Sequence, residues 1–342
     1  MNRRQFLAAA AVAVSGCSRR DSRVVLYCAQ DQEFAEDLLT EFTKETGLAV
    51  ATKFDTEAQK SVGLAAELEQ EAGRPRCDVH WNNEPLGTIR LARKAVYEPY
   101  SSPNATPFPD WSRAPDQTWQ AFAARARVLI VNTRLVPAEA DRPRSILDLV
   151  NAKWKGRVAI AKPFFGTTAT HAACLFDILG PDAATSLFTR LIGNGVAVVA
   201  GNKQVATEVS GGRFAVGFTD TDDALIELQA GKPVAIVYPD RDGHPVYPKL
   251  GTLFLPNTLA IVKNGPNPAA ARTLIDFLLR PTMEAKLAEG GGFQIPLNPT
   301  VQVTLPPGLL TPSQVKPMDV DFGRATDRWE ETQTTLRKLF GG

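Results

Sequence analysis

Short apolar runs alternate with amphipathic stretches along the first hundred residues, and this alternation constrains the fold more than any other feature. Arg23 to Cys28 (RVVLYC) is continuously apolar, which is typical of a strand buried in a parallel sheet. Residues 31–46 follow with apolar side chains at helical spacing, and Gly47 ends that pattern. The pattern repeats in two further strand and helix pairs, 50–54 with 57–71 and 77–81 with 85–94. This order predicts an α/β protein with a doubly wound sheet.

The alternation breaks in a segment rich in Pro, Ser and Asp (99–118) and then restarts. Arg125 to Asn132 (RARVLIVN) is a long apolar strand that leaves this break, and strands and helices alternate after it up to residue 279. Two α/β units joined by an extended strand predict two lobes with a cleft between them. Ligands bind at the carboxyl ends of strands in such sheets, which directs attention to residues 29–32 and 82–84.

The N-terminus carries an export signal. Arg3 and Arg4 precede an apolar run of nine residues, Phe6 to Val14, which is too short to span a bilayer. Val14 to Cys17 resembles a bacterial lipobox, in which Cys17 is lipidated, and Arg3-Arg4 resembles the twin-arginine pattern. A general secretory signal with an incidental cysteine is the alternative. Either route places the mature chain outside the cytoplasm.

Charge and cysteine content exclude several classes of function. Removing residues 1–16 deletes two arginines and no acid, so the formal net charge moves from +1 to −1 and gives no basis for binding nucleic acid or an anionic membrane. Besides Cys17 the chain has Cys28, Cys77 and Cys174, so at most one disulfide forms, with Cys28 and Cys77 as the candidate pair. The cysteines and the three histidines lack zinc-ligand spacing.

Two stretches carry candidate binding residues. Gly166, Thr167 and Thr168 precede a predicted helix, where backbone N–H groups and hydroxyls form a ready anion site; ordinary helix capping is the alternative. Asn202 opens another helix at the matching position further along the chain. Thr219 to Asp223 (TDTDD) is either a polar ligand site, with Thr219 and Thr221 among its contacts, or simply a helix start with acids at the positive end of the dipole.

The run Asp78 to Tyr100 (DVHWNNEPLGTIRLARKAVYEPY) resembles the bacterial extracellular solute-binding proteins of ABC importers, and within them the ferric-ion-binding branch. The resemblance extends to further segments: 26–47, 162–171, 201–205, 217–223, 256–262 and 294–299. It implies a two-lobed periplasmic-binding-protein fold of type II character, whose lobes close on a ligand and are then recognised by an ABC permease and ATPase. The expected division is an export signal with lipobox at 1–17, a first lobe at 23–124, a second lobe at 125–232, a return to the first lobe at 233–296, and a tail with a helix packed on one lobe at 297–342. Hinge crossings are expected near 123–128 and 228–234.

The resemblance also implies a ligand set. Ferric-ion-binding relatives use a His or Tyr at the first strand tip, a carboxylate at the third, and a tyrosine pair in the second lobe. Asp31 and Glu84 match the first two positions, but residues 217–223 (GFTDTDD) contain no tyrosine. What remains is a set of carboxylates, Asp31, Glu84, Asp222 and Asp223 with Asp220, which repel one another unless a cation joins them.

The predicted function is therefore capture of a ferric ion, Fe(III), or a ferric complex with a synergistic anion, by a monomeric, lipid-anchored protein of the periplasm or cell surface. The alternative cargo is a small organic solute without metal, bearing a phosphonate or phosphate or resembling a polyamine. An exported hydrolase is less favoured because the sequence has no G-x-S-x-G motif and no Gly-rich phosphate loop. We expect a binding protein without enzymatic activity.

Overall fold

The structure, a computed structural model, describes residues 23–55 and 62–341, and the export signal with Cys17 lies outside them. The strands are β1 (Arg23–Cys28), β2 (Ala49–Phe54), β3 (Val79–Asn82), β4 (Tyr97–Glu98), β5 (Gln120–Asn132), β6 (Val158–Ala161), β7 (Ala197–Val199), β8 (Val216–Asp220), β9 (Val234–Val237) and β10 (Phe254–Val262). The α-helices are α1 (Gln32–Thr46), α2 (Val62–Gln70), α3 (Pro85–Arg93), α4 (Gly166–Leu179), α5 (Pro181–Gly193), α6 (Asn202–Ser210), α7 (Thr221–Gln229), α8 (Pro268–Leu278), α9 (Pro281–Glu289), α10 (Phe322–Asp327) and α11 (Trp329–Phe340). Across the described residues, no helix has both the length and the apolar character needed to span a membrane.

The strands form two mixed sheets that share β5. In the first sheet β1 lies parallel to β2 and β3, and β10 lies antiparallel to β3, β4 and β5. In the second sheet β6 lies parallel to β7 and β8, and β5 lies antiparallel to β8 and β9. We call the first sheet with α1–α3, α8 and α9 the first lobe, and the second sheet with α4–α7 the second lobe. The predicted two-lobed α/β architecture is confirmed.

Strand β5 passes from one lobe to the other. Its residue Ala126 pairs with β10 in the first sheet, and the next residue, Arg127, pairs with Asp220 of β8 in the second. All thirteen residues of β5 are buried. The change of partner falls inside the range 123–128 in which the sequence placed a hinge crossing.

The second crossing lies later in the chain than expected. We placed it near 228–234, with the first lobe resuming at residue 233. Strand β9 instead pairs with residues Leu129–Asn132 of β5, so it belongs to the second lobe. The boundary at 233 is corrected to the segment between β9 and β10. The short apolar run of β9 fits either sheet, and only its pairing partner decides between them.

Each lobe buries an apolar core between its sheet and its helices. In the first lobe Leu26 of β1 is fully buried, and the rings of Phe42 in α1 and Phe277 in α8 lie 5.4 Å apart. In the second lobe Phe176 of α4 stacks on Phe188 of α5 at 6.5 Å. Full burial of such side chains stabilises the fold by about 1.5–3 kcal/mol each, so each lobe holds its strand tips on a rigid frame.

The C-terminal tail contacts both lobes. We expected one helix over 322–340, packed on a single lobe. The structure has two helices, α10 and α11, separated at Arg328, and α10 packs against both α3 and α4. Arg93 of α3 donates to Asp327 at 2.7 Å, and Arg324 of α10 lies 3.4 Å from Asp177 of α4. The tail therefore bridges the lobes, because its charged side chains find partners on each.

The candidate disulfide between Cys28 and Cys77 does not form. Cys28, Cys77 and Cys174 are all free and buried. In the pairing of β1 with β3, Cys28 lies opposite Trp81 rather than near Cys77. The cysteines act as small apolar side chains of the core.

Candidate functional site

A cleft lies between the lobes at the carboxyl ends of their strands. It is lined by the tips after β1 and β3, the starts of α4, α6 and α7, and the crossing strand β5. The lining residues are Asp31, Glu33, Phe34, Asn83, Arg125, Ala161, Lys162, Phe165, Gly166, Thr167, Thr168, Ala200, Gly201, Asn202, Lys203, Asp220, Asp222, Asp223 and Ile226. Lys203 of the second lobe lies 3.5 Å from Glu33 of the first, so charged side chains from both lobes meet across this cleft.

Most of the residues singled out in the sequence line this cleft. Those that do are Asp31, Gly166, Thr167, Thr168, Asn202, Asp220, Asp222 and Asp223. Those that do not are Glu84, Thr219 and Thr221. The strand tips named in the sequence thus meet at this cleft, while Glu84, Thr219 and Thr221 do not line it.

Glu84 caps a helix instead of facing the cleft. Its carboxylate accepts the backbone N–H groups of Leu86 and Gly87, each at 2.7 Å, at the start of α3. It also accepts the Thr170 hydroxyl of α4 at 2.8 Å and the Asn82 amide at 3.2 Å. Burial raises the pKa of this carboxyl group, while those four donors oppose the shift. Our expectation of a metal ligand at Glu84 is corrected, because internal donors occupy its oxygens.

Thr219 and Thr221 hold the backbone in place. The Thr219 hydroxyl donates to the carbonyl oxygen of Asn202 at 3.0 Å, and the Thr221 hydroxyl oxygen accepts the N–H of Ala126 at 3.1 Å. Both residues are fully buried. Thr219 fixes the start of α6 to β8 and Thr221 fixes the start of α7 to β5, so the expectation that they contact a ligand is corrected.

A buried arginine organises the wall formed by the second lobe. Arg127 of β5 is fully buried and donates to Asp220 at 2.7 Å, to Thr167 at 3.1 Å and to Thr168 at 3.2 Å. Asp220 also accepts the Thr167 hydroxyl at 2.6 Å and the Asn202 amide at 2.9 Å. The guanidinium lies 4.3 Å from the centre of the Phe218 ring. The hydroxyls of Thr167 and Thr168 are thus hydrogen-bonded within this network. The groups that these loops can offer to a ligand are backbone N–H groups.

Of the helices that start at the cleft, α4 and α6 have neither a side-chain cap nor an acid in the first turn. Within the described residues, no side chain caps α4 at Phe165 or α6 at Gly201. Gly166 has φ +53°, a left-handed conformation that favours glycine and brings the backbone to the cleft surface. The first N–H groups of a helix carry partial positive charge and bind anions well.

A second arginine, Arg125, lines the floor of the cleft. It is 2% exposed, donates to Gln30 of the first lobe at 2.6 Å, and lies 3.5 Å from the Asp222 carboxylate of the second lobe. We missed both arginines because β5 has the pattern of an apolar strand. Their spacing of two residues, which places them on one face of the strand, is the signal that was available. Two buried cations require acidic partners, and Asp220 and Asp222 supply them.

Three aspartates at the start of α7 converge. Carboxylate oxygens of Asp220, Asp222 and Asp223 lie within 4.8 Å of one another, an arrangement that can hold a metal ion. Asp31 lines the same cleft at the start of α1, on the side formed by the first lobe. All five tyrosines of the chain lie in the described region, and none lines the cleft. Any hard cation here therefore meets carboxylate oxygens rather than phenolates.

The fold and this interlobar cleft define a solute-binding protein. The family model of the bacterial extracellular solute-binding proteins matches residues 89–325, and the chain belongs to that family. The chain is similar to "Iron uptake protein A1" of Synechocystis sp., with 25% identity over 275 residues that cover 77% of this chain and 73% of the relative.

Two solved structures share the fold. Iron-bound HitA from Pseudomonas aeruginosa is 20% identical with a TM-score of 0.81, covering 93% of this chain and 99% of that one. The periplasmic binding protein AfuA from Actinobacillus pleuropneumoniae, with fructose-6-phosphate bound, is 21% identical with a TM-score of 0.81, covering 93% and 98%. One fold thus holds two chemically different ligands, and the cleft of each chain must specify its own.

Proposed function

We propose that this chain is the solute-binding component of an ABC importer and that it captures a ferric ion together with an anion between its two lobes. The observation that carries the proposal is the set of chemical groups that line one cleft. A convergent set of carboxylates lines the same space as two helix starts that have neither a side-chain cap nor an acid in the first turn. The similarity to an iron uptake protein supports the same cargo.

The anion occupies the starts of α4 and α6. Gly166 and Asn202 line the cleft at these starts, where the first backbone N–H groups of a helix have no partner within the helix, and Lys162 adds a positive charge beside them. Phosphate or a carboxylate of citrate suits this set, because charge-assisted hydrogen bonds to oxyanions are strong.

The ferric ion faces the carboxylates of Asp222 and Asp223, with Asp31 from the first lobe. Carboxylate oxygen is a suitable ligand for a hard trivalent cation. Because these aspartates replace the tyrosine pair that the family resemblance implied, the anion supplies the remaining oxygen ligands. Closure of the lobes joins Asp31 to the other two.

A metal-free phosphate-bearing organic solute is the second candidate. The specific observation in its favour is that Arg127 and Arg125 partly balance the charge of Asp220 and Asp222. The similar fold of a protein with fructose-6-phosphate bound is consistent with it. A polyamine is disfavoured, because Arg125, Lys162 and Lys203 line the cleft.

The remaining assignments follow from the sequence. Lipidation at Cys17 anchors the protein outside the cytoplasm, after export by the twin-arginine route that Arg3-Arg4 resembles or by the general secretory route. The protein acts as a monomer, binds cargo without altering it, and delivers it to a permease and ATPase that recognise the closed lobes.

Calorimetric titration of the metal-stripped protein tests the cargo. The arms are ferric citrate, Fe(III) with inorganic phosphate, inorganic phosphate alone, fructose 6-phosphate and spermidine. We expect saturable binding of a ferric complex, and we expect Asp223→Asn to weaken it about tenfold or more while leaving a phosphate ester less affected. At 100 times Kd, a bound ligand also stabilises the fold by about 2.7 kcal/mol, which a melting curve detects.

Binding of fructose 6-phosphate with no ferric complex bound establishes the second candidate. Binding of spermidine alone contradicts both proposals. Turnover of any probe contradicts the proposal that the protein only binds its cargo.

A further inference from the structure

We infer that Arg125 determines the charge selectivity of the cleft: it favours a cargo that bears an oxyanion and disfavours a bare cation. The inference rests on the proposed function and deepens it, since it names a residue that sets the class of cargo. It follows from where Arg125 lies and from how its charge is compensated.

Arg125 stands where the two lobes join. It pairs with Leu255 of β10 in the first sheet, two residues before β5 pairs with Asp220 in the second sheet. Its side chain lines the cleft although the residue is only 2% exposed. A cation in this position is held by the fold itself and cannot move away from a bound ligand, as an exposed lysine can.

The hydrogen bonds of Arg125 go to neutral oxygens, and its acidic partner lies at a longer distance. Two are neutral amide oxygens of the first lobe, Gln30 at 2.6 Å and Asn257 at 3.3 Å. The acidic partner in the second lobe, Asp222, lies 3.5 Å away. Burial disfavours the charged form, but the acids Asp222, Asp220 and Asp31 outweigh it and raise the pKa of Arg125, so the guanidinium stays charged.

The neighbouring Arg127 provides a contrast inside the same strand. Its ion pair with Asp220 is short, at 2.7 Å, and its Nη groups also donate to Thr167, Thr168 and Asn202. Arg127 also does not line the cleft. Of these two buried arginines, Arg125 is therefore the one whose charge acts on a ligand.

The consequence depends on the sign of the ligand's charge. A bare cation held by Asp222 and Asp223 lies close to the guanidinium and is repelled by it, and a trivalent ion is repelled most. An oxyanion gains a charge-assisted hydrogen bond from the same group. Arg125 thus makes the acidic cluster a site for a metal that arrives with its anion, or for an anion alone.

Arg125→Gln tests this with probes of opposite charge. The probes are Tb³⁺, a trivalent ion that prefers oxygen ligands and reports binding by luminescence, and the anions ferric citrate and fructose 6-phosphate. We expect the variant to bind Tb³⁺ about tenfold or more tightly than the wild type, and to bind whichever anionic probe the wild type binds about tenfold or more weakly. Affinities that fall together on both kinds of probe, or that do not change, overturn the inference.

Two further variants keep the test decisive. Arg125→Lys retains the charge, so its affinity for Tb³⁺ should stay within about threefold of the wild type; if Arg125→Gln does not fold, a tenfold gain in Arg125→Lys overturns the inference by itself. Arg213→Gln removes one charge from an exposed pair with Glu208 on the second lobe and should change either affinity less than about twofold. A wild type that binds neither anionic probe contradicts the proposed function, while the ratio of Tb³⁺ affinities still decides the role of Arg125.

Discussion

Glu84 and Asp220 occupy comparable places in the two lobes, and their side chains do opposite things. Each acid lies at the carboxyl end of a buried strand, directly before a helix starts. Glu84 turns back to accept the first N–H groups of α3, whereas Asp220 leaves the start of α7 uncapped by its side chain and binds Arg127 instead. An acid at a strand tip is therefore not a ligand by position alone. The donors buried beside it decide whether it caps the helix, pairs with an arginine or binds the cargo.

The largest effect should come from removing the buried cation that Asp220 faces. Arg127→Leu leaves the Asp220 carboxylate buried beside hydroxyl and amide donors only. Breaking one side of a buried ion pair costs about 3–5 kcal/mol. We expect a loss of that size in the free energy of unfolding, measured by urea denaturation.

The double variant Arg127→Leu/Asp220→Asn is the matched control. It removes both charges, so it should recover a large part of the lost stability. A single variant that loses less than about 1 kcal/mol would falsify the view that Arg127 neutralises Asp220.

A smaller loss of stability should distinguish Glu84, the cap of α3, from the residues that line the cleft. Glu84→Ala removes the acceptor for two N–H groups of α3 and for the Thr170 hydroxyl, at a cost of about 1–3 kcal/mol in unfolding free energy. Because Glu84 does not line the cleft, affinity for the cargo should stay within about threefold.

Asp223→Asn is the matched variant and should show the reverse pattern. Its stability should change by less than about 1 kcal/mol, while affinity for a ferric complex falls about tenfold or more. Urea denaturation and calorimetry on both variants check the split. If Glu84→Ala abolishes binding while the protein stays fully stable, then Glu84 is a ligand and the cap is secondary.

The sequence predicted well what local patterns control. β1 and β6 begin and end where their apolar runs do, and Asp31, Gly166 and Asn202 lie at strand tips that line the cleft. These features follow from hydrophobic periodicity and from the rule that ligands meet the carboxyl ends of strands.

What the sequence did not predict depends on partners far along the chain. Arg127 and its partner Asp220 are 93 residues apart, so a local window shows two arginines on one face of β5 but not the acids that they meet. The same limit explains why the second crossing between the lobes comes after β9. The four residues of β9 pair with β5, which is distant in sequence. Helix starts are a third case: the family resemblance placed Glu84 as a ligand, whereas its donors at the start of α3 and in α4 make it a helix cap.

The smallest effect is on the pH dependence of the unfolding free energy, which gives a second test of Glu84 as a helix cap. Burial raises the pKa of the Glu84 carboxyl group above the value of 4.5 that it has in an unfolded chain. Between 4.5 and the raised value the folded state binds more protons than the unfolded state, so stability falls as pH rises, by at most about 1.4 kcal/mol per pH unit. Glu84→Gln does not titrate and lacks this slope.

The measured quantity is the difference in unfolding free energy between the wild type and Glu84→Gln at pH 4, 5, 6 and 7. We expect this difference to fall as pH rises above about 4.5. Glu284, another buried carboxyl group whose pKa burial raises, is present in both proteins, so its contribution cancels. A difference that rises with pH means that the donors at the start of α3 outweigh burial and favour the charged form. Glu84 would then match Asp220 in holding its charge inside the fold, and only the identity of the donors, backbone N–H groups in one lobe and an arginine in the other, would distinguish the two acids.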